Sequence, residues 1–420
     1  MHRIIAAMLV ATSCVAVAQA QVESTAEQGA SAFTLDQAVA AAGGSAPSAE
    51  AAQAGIDAAK AARTMAGLRP NPQFQSQIEN IGGTGPYGGL DQAETTVGVN
   101  LPIELGGKRS ARIAVANAQT DRAVLIAAIT QADIRLQVTA LYLEAVAAER
   151  RAETAKDQFR IAQDALKAAK IRVQAGRASP LEEQRADVAR LNAQAGLERT
   201  QRLADAARVN LARRIGQPVE GPLDAAALDR MPSTIYGPRL AASEGTLALA
   251  AADADLAVAD AGIQLARSQM VPDVTVGPAV RRLSATNDTA AVFSITMPIP
   301  IFSSGRAAVS QAKAERTRVE AQRRMTALDV EQAITDAQAE ADNAATLAQT
   351  ANGPALAAAQ EAARIARIGY REGKFGQLEL LDAERTLADT RVAAIDALST
   401  YQNAKARLER LTAPAPTQGN

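Results

Sequence analysis

Residues 108–174 read KRSARIAVANAQTDRAVLIAAITQADIRLQVTALYLEAVAAERRAETAKDQFRIAQDALKAAKIRVQ, a run without proline or glycine. Apolar residues recur in it at alternating steps of four and three positions, the heptad pattern of a coiled coil. A single helix over this run would be about 67 residues and about 100 Å long. Helices of compact soluble domains average about a dozen residues, so the run predicts an extended coiled-coil structure. The seam consists of Ile134, Val138, Leu141, Ala145, Ala148, Ala152, Ala155, Phe159, Ala162, Leu166, Ala169 and Val173.

The composition fits close packing of helices through small side chains. Hydrophobic residues make up 48% of the 420 residues, but aromatic residues make up only 3% and tryptophan is absent. Thick globular cores need large side chains, whereas alanine has the best helix propensity. Lysine and arginine total 44 against 45 aspartate and glutamate, so no basic excess indicates a nucleic-acid partner.

Histidine and cysteine occur once each, as His2 and Cys14. A mature chain without the N-terminal stretch would therefore lack a zinc finger, a thiolate metal cage, a Cys–His catalytic pair and a histidine general base. We expect a protein that is not an enzyme and that needs no metal or organic cofactor.

The first twenty residues predict a secretory signal peptide. A short basic start is followed by an apolar run from Ile4, and Ala18-Gln19-Ala20 forms a small-x-small cleavage site. Cleavage after Ala20 is expected; lipidation at Cys14 is the alternative. No later stretch reaches about 18 uninterrupted apolar residues, so we expect no transmembrane helix, and any membrane crossing must use strands.

The chain repeats once, with an offset near 197 residues. Ala175-Gly176-Arg177 is echoed by Glu372-Gly373-Lys374, and Leu101-Pro102-Ile103 by Met297-Pro298-Ile299. A third echo, Asn71-Pro72-Gln73-Phe74 against Val271-Pro272-Asp273-Val274, keeps the same order. Two copies of one structural unit explain this order. The predicted parts are a first unit at 21–215, a linker at 216–238, a second unit at 239–412 and a disordered tail at 413–420.

The residue pattern of each unit predicts a helix, two strands, and then a long helix that is followed, after a turn, by a returning helix. Apolar and polar residues alternate in the strands, which we place at about 72–82, 93–103, 272–283 and 290–301. Strands of about ten residues with one apolar face are typical of a transmembrane barrel wall. Four strands are too few to close a barrel, so another sheet or further copies of the chain are needed; three copies would supply twelve strands.

The second long helix meets Asn352-Gly353-Pro354, where a kink or interruption is expected. The helical hairpins should turn near 176–180 and 373–377. Gly176 and Gly373 supply the backbone freedom that a helix-ending turn needs, and Arg177 and Lys374 lie beside the unsatisfied carbonyl groups of the helix ends.

This arrangement resembles the TolC-like outer-membrane factor family over essentially the whole mature chain. Ile78-Glu79-Asn80-Ile81-Gly82-Gly83, Glu94-Thr95-Thr96 and the segment from Leu101 to Arg109 resemble its cobalt–zinc–cadmium efflux branch. The resemblance implies a mainly α fold with a transmembrane β-barrel portion. In it, a homotrimer forms a 12-stranded barrel in the outer membrane and an α-helical tunnel through the periplasm. It also implies docking to a periplasmic adaptor and a proton-driven inner-membrane pump.

The resemblance further implies roles for residues at the hairpin turns. The exposed turns would contact the adaptor through Gly176, Arg177, Ser179, Leu181, Gly373, Lys374 and Leu378. Two acidic residues at the spacing of Glu379 and Asp382 line the closed entrance in the family. Glu182 and Arg185 hold the matching positions in the first unit, where Arg185 can pair with the carboxylates of the second hairpin.

Two other functions remain open. A duct for drug or protein export shares the architecture. A periplasmic coiled-coil adaptor or tether shares the heptads but leaves the four amphipathic strands unexplained. An enzyme with paired carboxylates is disfavoured, because every Asp–Glu pair in the chain suits a helix surface.

Overall fold

The computed structural model describes residues 32–231 and 242–416. The predicted signal cleavage site at Ala18 and Ala20 and the alternative lipidation site Cys14 lie outside these ranges. So do residues 232–238 of the predicted linker and residues 417–420 of the predicted tail. The first half of the chain contains α1 (Leu35–Ser45), α2 (Pro47–Ala66), β1 (Gln73–Glu79), β2 (Glu94–Ile103), α3 (Lys108–Gln174), α4 (Pro180–Ile215) and α5 (Ala226–Asp229).

The second half repeats this order. It contains α6 (Leu247–Ser268), β3 (Val274–Leu283), β4 (Asp288–Thr296), α7 (Arg306–Thr350), α8 (Leu356–Arg371) and α9 (Gln377–Leu411). The expected interruption of the second long helix is confirmed. A π-helical stretch over Ala351–Ala355 separates α7 from α8, and Gly353 has non-helical φ and ψ angles of −101° and −106°. Pro354 causes the break because its ring has no N–H to donate and clashes with the preceding turn.

The four strands form one antiparallel sheet in the order β1-β2-β3-β4. Cross-strand partners share a face, so the pairs Phe74–Val99, Leu101–Val276 and Val276–Ile295 place apolar residues on one side. The opposite face carries polar side chains, such as Gln75 and Asn100. The sheet therefore has one face suited to lipid and one suited to water, as a barrel wall requires.

The largest core lies midway along the long helices, where α1, α3, α4, α7 and α9 meet. Eleven of its 23 buried residues are alanine, and the other twelve are larger side chains such as Tyr142 and Leu398. The Tyr142 hydroxyl donates to the Phe33 carbonyl at 2.6 Å and accepts from the Asp224 N–H at 2.9 Å. Burial raises the pKa of Tyr142 to about 12. This residue fastens the segment after α4 onto α3, so the described part of the predicted linker is packed on the helices.

All twelve seam positions of α3 are buried or half-buried, and α3 begins and ends where the heptad run predicts. The strands are shorter than expected: β1 covers 73–79 rather than 72–82, and β4 covers 288–296 rather than 290–301. The described part of the C-terminal tail is ordered, contrary to expectation. Leu247 donates its backbone N–H to the Ala413 carbonyl at 3.1 Å, and Ala415 donates to the Gly245 carbonyl at 2.9 Å.

Among the described helices, α3 contains an 18-residue stretch that is apolar enough to cross a membrane, judged by length and composition alone. The sequence analysis did not expect such a helix. Its core contacts favour packing against other helices instead. Ile134 and Val138 are buried in the main core, and Asp133 pairs with Arg410 of α9 at 2.6 Å.

Candidate tunnel entrance

The two hairpin turns have the same backbone conformation. Gly176 and Gly373 have φ angles of 69° and 74°, the left-handed region that glycine enters without strain. Arg177 donates its N–H to the Arg172 carbonyl at 2.8 Å, and Lys374 donates to the Gly369 carbonyl at 2.8 Å. These bonds span five residues each, as in a Schellman helix end. The internal repeat thus produces two turns with the same backbone conformation, one in each helical hairpin.

The next helix starts differently after each turn. The Ser179 hydroxyl accepts from the Leu181 N–H at 3.3 Å and caps α4, whereas Gly376 precedes α9 without a side-chain cap. In the second turn the Phe375 ring fills the space beside Gly369, where an added Cβ would lie 2.2 Å from a ring carbon. The two turns therefore present different side chains on the same backbone.

All seven residues predicted to contact the adaptor are exposed. Leu181 and Leu378 are 56% and 68% exposed, which leaves an apolar side chain accessible beside each turn. Lys374 pairs with Glu372 at 2.6 Å. A Cβ built on Gly176 or Gly373 meets no atom within 4 Å, so the surface beside both glycines is open.

The starts of α4 and α9 line one groove of about 520 Å³. Of the predicted entrance residues, Glu182, Arg185 and Glu379 line it, while Asp382 lies in an adjoining groove with Leu378. Arg185, Glu379 and Asp382 are exposed. The charged side chains that line this groove are two carboxylates, Glu182 and Glu379, and two guanidinium groups, Arg172 and Arg185, so their formal charges balance.

The predicted pairing of Arg185 with the second hairpin is absent between the described residues of one chain. Glu182 instead pairs with Arg172 at 3.5 Å, and the Arg172 guanidinium carbon lies 5.3 Å from the centre of the Tyr370 ring. Arg185, in the second turn of α4, lines the groove, and a contact with another copy of the chain remains available to it.

The sequence analysis missed the residues that hold the hairpins together. Three ion pairs join α3 to α9: Asp133–Arg410, Arg151–Asp396 at 2.7 Å and Asp157–Arg391 at 3.6 Å. Within the second hairpin, Arg367 of α8 binds both carboxylate oxygens of buried Glu384 in α9. That bond raises the pKa of Arg367. The replacement of Val173 by Tyr370 between the repeats was the available signal for the contact with Arg172.

A second ionic network joins the barrel strands to the helices. Arg112 binds Glu104 through two nitrogens and also donates to the Leu68 carbonyl. Lys108 pairs with Asp273 at 2.7 Å, just before β3. The network fixes the angle at which β2 continues into α3. Within residues 32–231 and 242–416, no cluster of three or more His, Cys, Asp or Glu side chains is placed to hold a metal ion.

Comparison with known proteins identifies the class. The chain matches the outer membrane efflux protein family over residues 38–217 and 241–413. It is 30% identical over 386 residues to the cobalt-zinc-cadmium resistance protein CzcC of Cupriavidus metallidurans, covering 90% of each chain. It is also 30% identical over 275 residues to the nickel and cobalt resistance protein CnrC of the same organism, covering 64% of each. A solved membrane protein from Pseudomonas aeruginosa has the same fold, with a TM-score of 0.74, 20% identity and coverage of 92% of this chain and 91% of that one.

The chain belongs to the outer membrane efflux protein family. The predicted family, fold class and location are confirmed: the protein is an outer-membrane channel that extends into the periplasm, with the fold of the trimeric channels that combine a twelve-stranded barrel with a helical tunnel. The family is one of transport channels that work with an adaptor and an inner-membrane pump, and not a family of enzymes.

Proposed function

We propose that this protein is the passive exit duct of a tripartite system that exports divalent heavy-metal cations. Its end-to-end similarity to a cobalt-zinc-cadmium resistance protein carries the proposal. The duct supplies a continuous wet path, and a proton-driven pump in the inner membrane selects the cargo. Exposed carboxylates such as Glu379 and Asp382, which line two adjoining grooves, would favour cations if three copies surround one axis.

Growth of a deletion strain with and without the restored gene tests the cargo. Graded zinc, cadmium, cobalt, nickel and copper are compared with a panel of drugs. We expect a selective sensitivity to one or more of the metals that the restored gene reverses. Sensitivity to drugs alone would retain the duct and overturn the metal assignment.

We assign adaptor docking to the two exposed turns. Gly373→Leu should abolish metal resistance while trimers still reach the outer membrane, because the new side chain projects into open space on the docking surface. Gly89→Leu is the matched control, since Gly89 also has a left-handed φ of 84°, open surroundings and a position in the loop between β1 and β2. Equal loss of resistance in both variants would indicate backbone strain rather than docking.

We assign the entrance to Glu182, Arg185, Glu379 and Asp382. The double substitution Glu379→Ala and Asp382→Ala should reduce the cation preference of the purified trimer in a planar bilayer. Glu409→Ala, on the same helix but about 30 residues away, is the control. Unchanged ion preference and conductance in the double variant would overturn the entrance assignment.

A further inference from the structure

Large apolar residues occupy every second position near the end of β4, and this spacing continues past the end of the strand. β4 stops at Thr296, yet Met297, Ile299 and Ile301 follow it with exposures of 52%, 76% and 74%, and Phe302 is fully exposed. In the first half of the chain, the matching segment Leu101–Ile103 belongs to β2 because β3 pairs with it. β4 is an outer strand of the sheet. The segment after Thr296 therefore has the sequence of a strand and lacks a neighbour within the described part of the chain.

The opposite edge of the sheet is β1, and its outer face is also apolar and uncovered. Phe74 and Ile78 are 75% and 56% exposed. In a sheet that alternates direction from β1 to β4, the β1 edge of one copy runs antiparallel to the β4 edge of another. The two edges are thus compatible, and an unpaired backbone edge in lipid would be costly.

A closed barrel of three copies requires β4 of one copy to pair with β1 of the next. We propose the register of that pairing in this chain: Ile295 lies opposite Ile78, Met297 opposite Ser76 and Ile299 opposite Phe74. The proposal rests on the trimeric channel and specifies the interface between its copies. Pairing in this register extends β4 beyond Thr296 to Ile299.

The internal repeat gives the register. Between the units of one chain, Leu101 lies opposite Val276 and Ile103 opposite Val274. The repeat equates Leu101-Pro102-Ile103 with Met297-Pro298-Ile299, and Pro272-Asp273-Val274 with Pro72-Gln73-Phe74. We take the β4–β1 pairing between protomers to have the same register as the β2–β3 pairing between the two units of one chain. The pair Ile103–Val274 then corresponds to the pair Ile299–Phe74.

The faces of the strands agree with this register. It places the apolar residues of both edges together on the outer side, and it places Gln77 opposite Thr296 and Glu79 opposite Ser294 on the inner side. A slip by one residue would place the apolar side chains of one strand on the inner face. A slip by two residues leaves every side chain on its proper face. Registers shifted by two residues are therefore the alternatives that an experiment must distinguish.

Cysteine cross-linking separates them. Residues directly opposite on antiparallel strands have Cα atoms about 4.5–5.5 Å apart, within the range that a disulfide spans, and a slip of two residues adds about 7 Å along the strand. Ile78→Cys is combined in turn with Phe293→Cys, Ile295→Cys and Met297→Cys. The only natural cysteine is Cys14, within the predicted signal peptide.

Each variant is purified as a trimer, verified by light scattering, oxidised with copper phenanthroline and run on a denaturing gel. We expect covalent trimers from Ile295→Cys with Ile78→Cys, at least about fivefold more than from the other two pairs. Met297→Cys with Ser76→Cys tests the same register independently. A maximum at Phe293 or Met297 in the Ile78→Cys series, or no cross-link in an intact trimer, would overturn the register alone. A monomeric native protein would overturn the trimer as well.

Discussion

Arg172 and Tyr370 join the two helical hairpins close to their turns, with the guanidinium carbon 5.3 Å from the ring centre. Arg172 lies in the last turn of α3 and Tyr370 in the last turn of α8, so this cation–π contact links the helices that lead into the turns. Farther from the turns, the ion pairs between α3 and α9 hold the hairpins together. The Arg172–Tyr370 contact is therefore placed to restrain separation of the turns themselves.

Loss of the Tyr370 ring should favour an open entrance. A cation–π contact at an exposed site contributes about 0.5–1 kcal/mol, so Tyr370→Ala should raise the open population about two- to fivefold. The measurement is the open probability of single trimers in a planar bilayer. Tyr370→Phe keeps the ring and should behave like the native protein; an identical response of both variants would contradict the assignment.

The bond between Arg367 and Glu384 should stabilise the second hairpin. The Glu384 side chain is 7% exposed and that of Arg367 is 46% exposed. Arg367→Ala leaves a carboxylate buried without its partner and should lower the free energy of unfolding by about 1–3 kcal/mol. Thermal unfolding followed by circular dichroism measures this loss. Arg364→Ala, which breaks a surface pair with Glu361, should have no measurable effect, and an equal loss there would refute the prediction.

Acid should weaken the junction between strands and helices, which lies outside the membrane-spanning strands. The hydrogen bond from Arg112 lowers the pKa of Glu104. Burial raises the pKa of Asp273, but hydrogen bonds from Lys108 and the Leu105 N–H outweigh it and lower the pKa overall. A carboxyl group whose pKa is lowered by folding stabilises the protein above its unfolded pKa of about 4, and that stability is lost as the pH falls through the folded value.

Glu104→Gln isolates this effect. The variant should lose about 1–2 kcal/mol at neutral pH, the contribution of a charge-assisted hydrogen bond, and the difference from the native protein should shrink as the pH falls below about 4 and through the lowered folded-state pKa of Glu104. Melting temperatures measured from pH 3 to 8 provide the comparison. Glu315→Gln removes a surface pair with Arg318 and serves as the control. A difference that stays constant from pH 8 to pH 3 would contradict the prediction.

Arg281 should stabilise the outer end of the barrel wall. It pairs with Glu94 of β2 at 2.7 Å and with Glu79 of β1 at 3.1 Å, and it donates to the Thr96 hydroxyl at 3.0 Å. Arg281→Ala removes the guanidinium group through which β3 binds side chains of β1 and β2. The loss should destabilise the trimer by about 1–3 kcal/mol.

Heating the trimer before gel electrophoresis measures this loss as a lower dissociation temperature. Arg282→Ala is the neighbouring control, since Arg282 projects from the other face and donates to Asn287 at 2.9 Å. Equal dissociation temperatures for the native protein and Arg281→Ala would show that the contacts with Glu79 and Glu94 do not stabilise the wall.

The sequence by itself determined the elements and their order. The heptad run without proline or glycine defined α3, because a continuous apolar seam is a property of neighbouring residues on one helix. Gly353-Pro354 predicted the break between α7 and α8 for a similarly local reason. The repeated Gly-basic segments predicted two turns at Gly176 and Gly373, and the absence of histidine and cysteine after Cys14 argued against several kinds of chemistry.

Only the tertiary structure decided which side chains meet. Arg172 and Tyr370 are about 200 positions apart, as are Glu79 and Arg281, and no local pattern pairs them. The sequence analysis proposed Arg185 as a link between hairpins. Within one chain the described contact near the turns is that of Arg172 with Tyr370, which the sequence analysis did not predict. Helix propensity and alternation depend on neighbours in the chain, whereas such contacts depend on the crossing of distant elements.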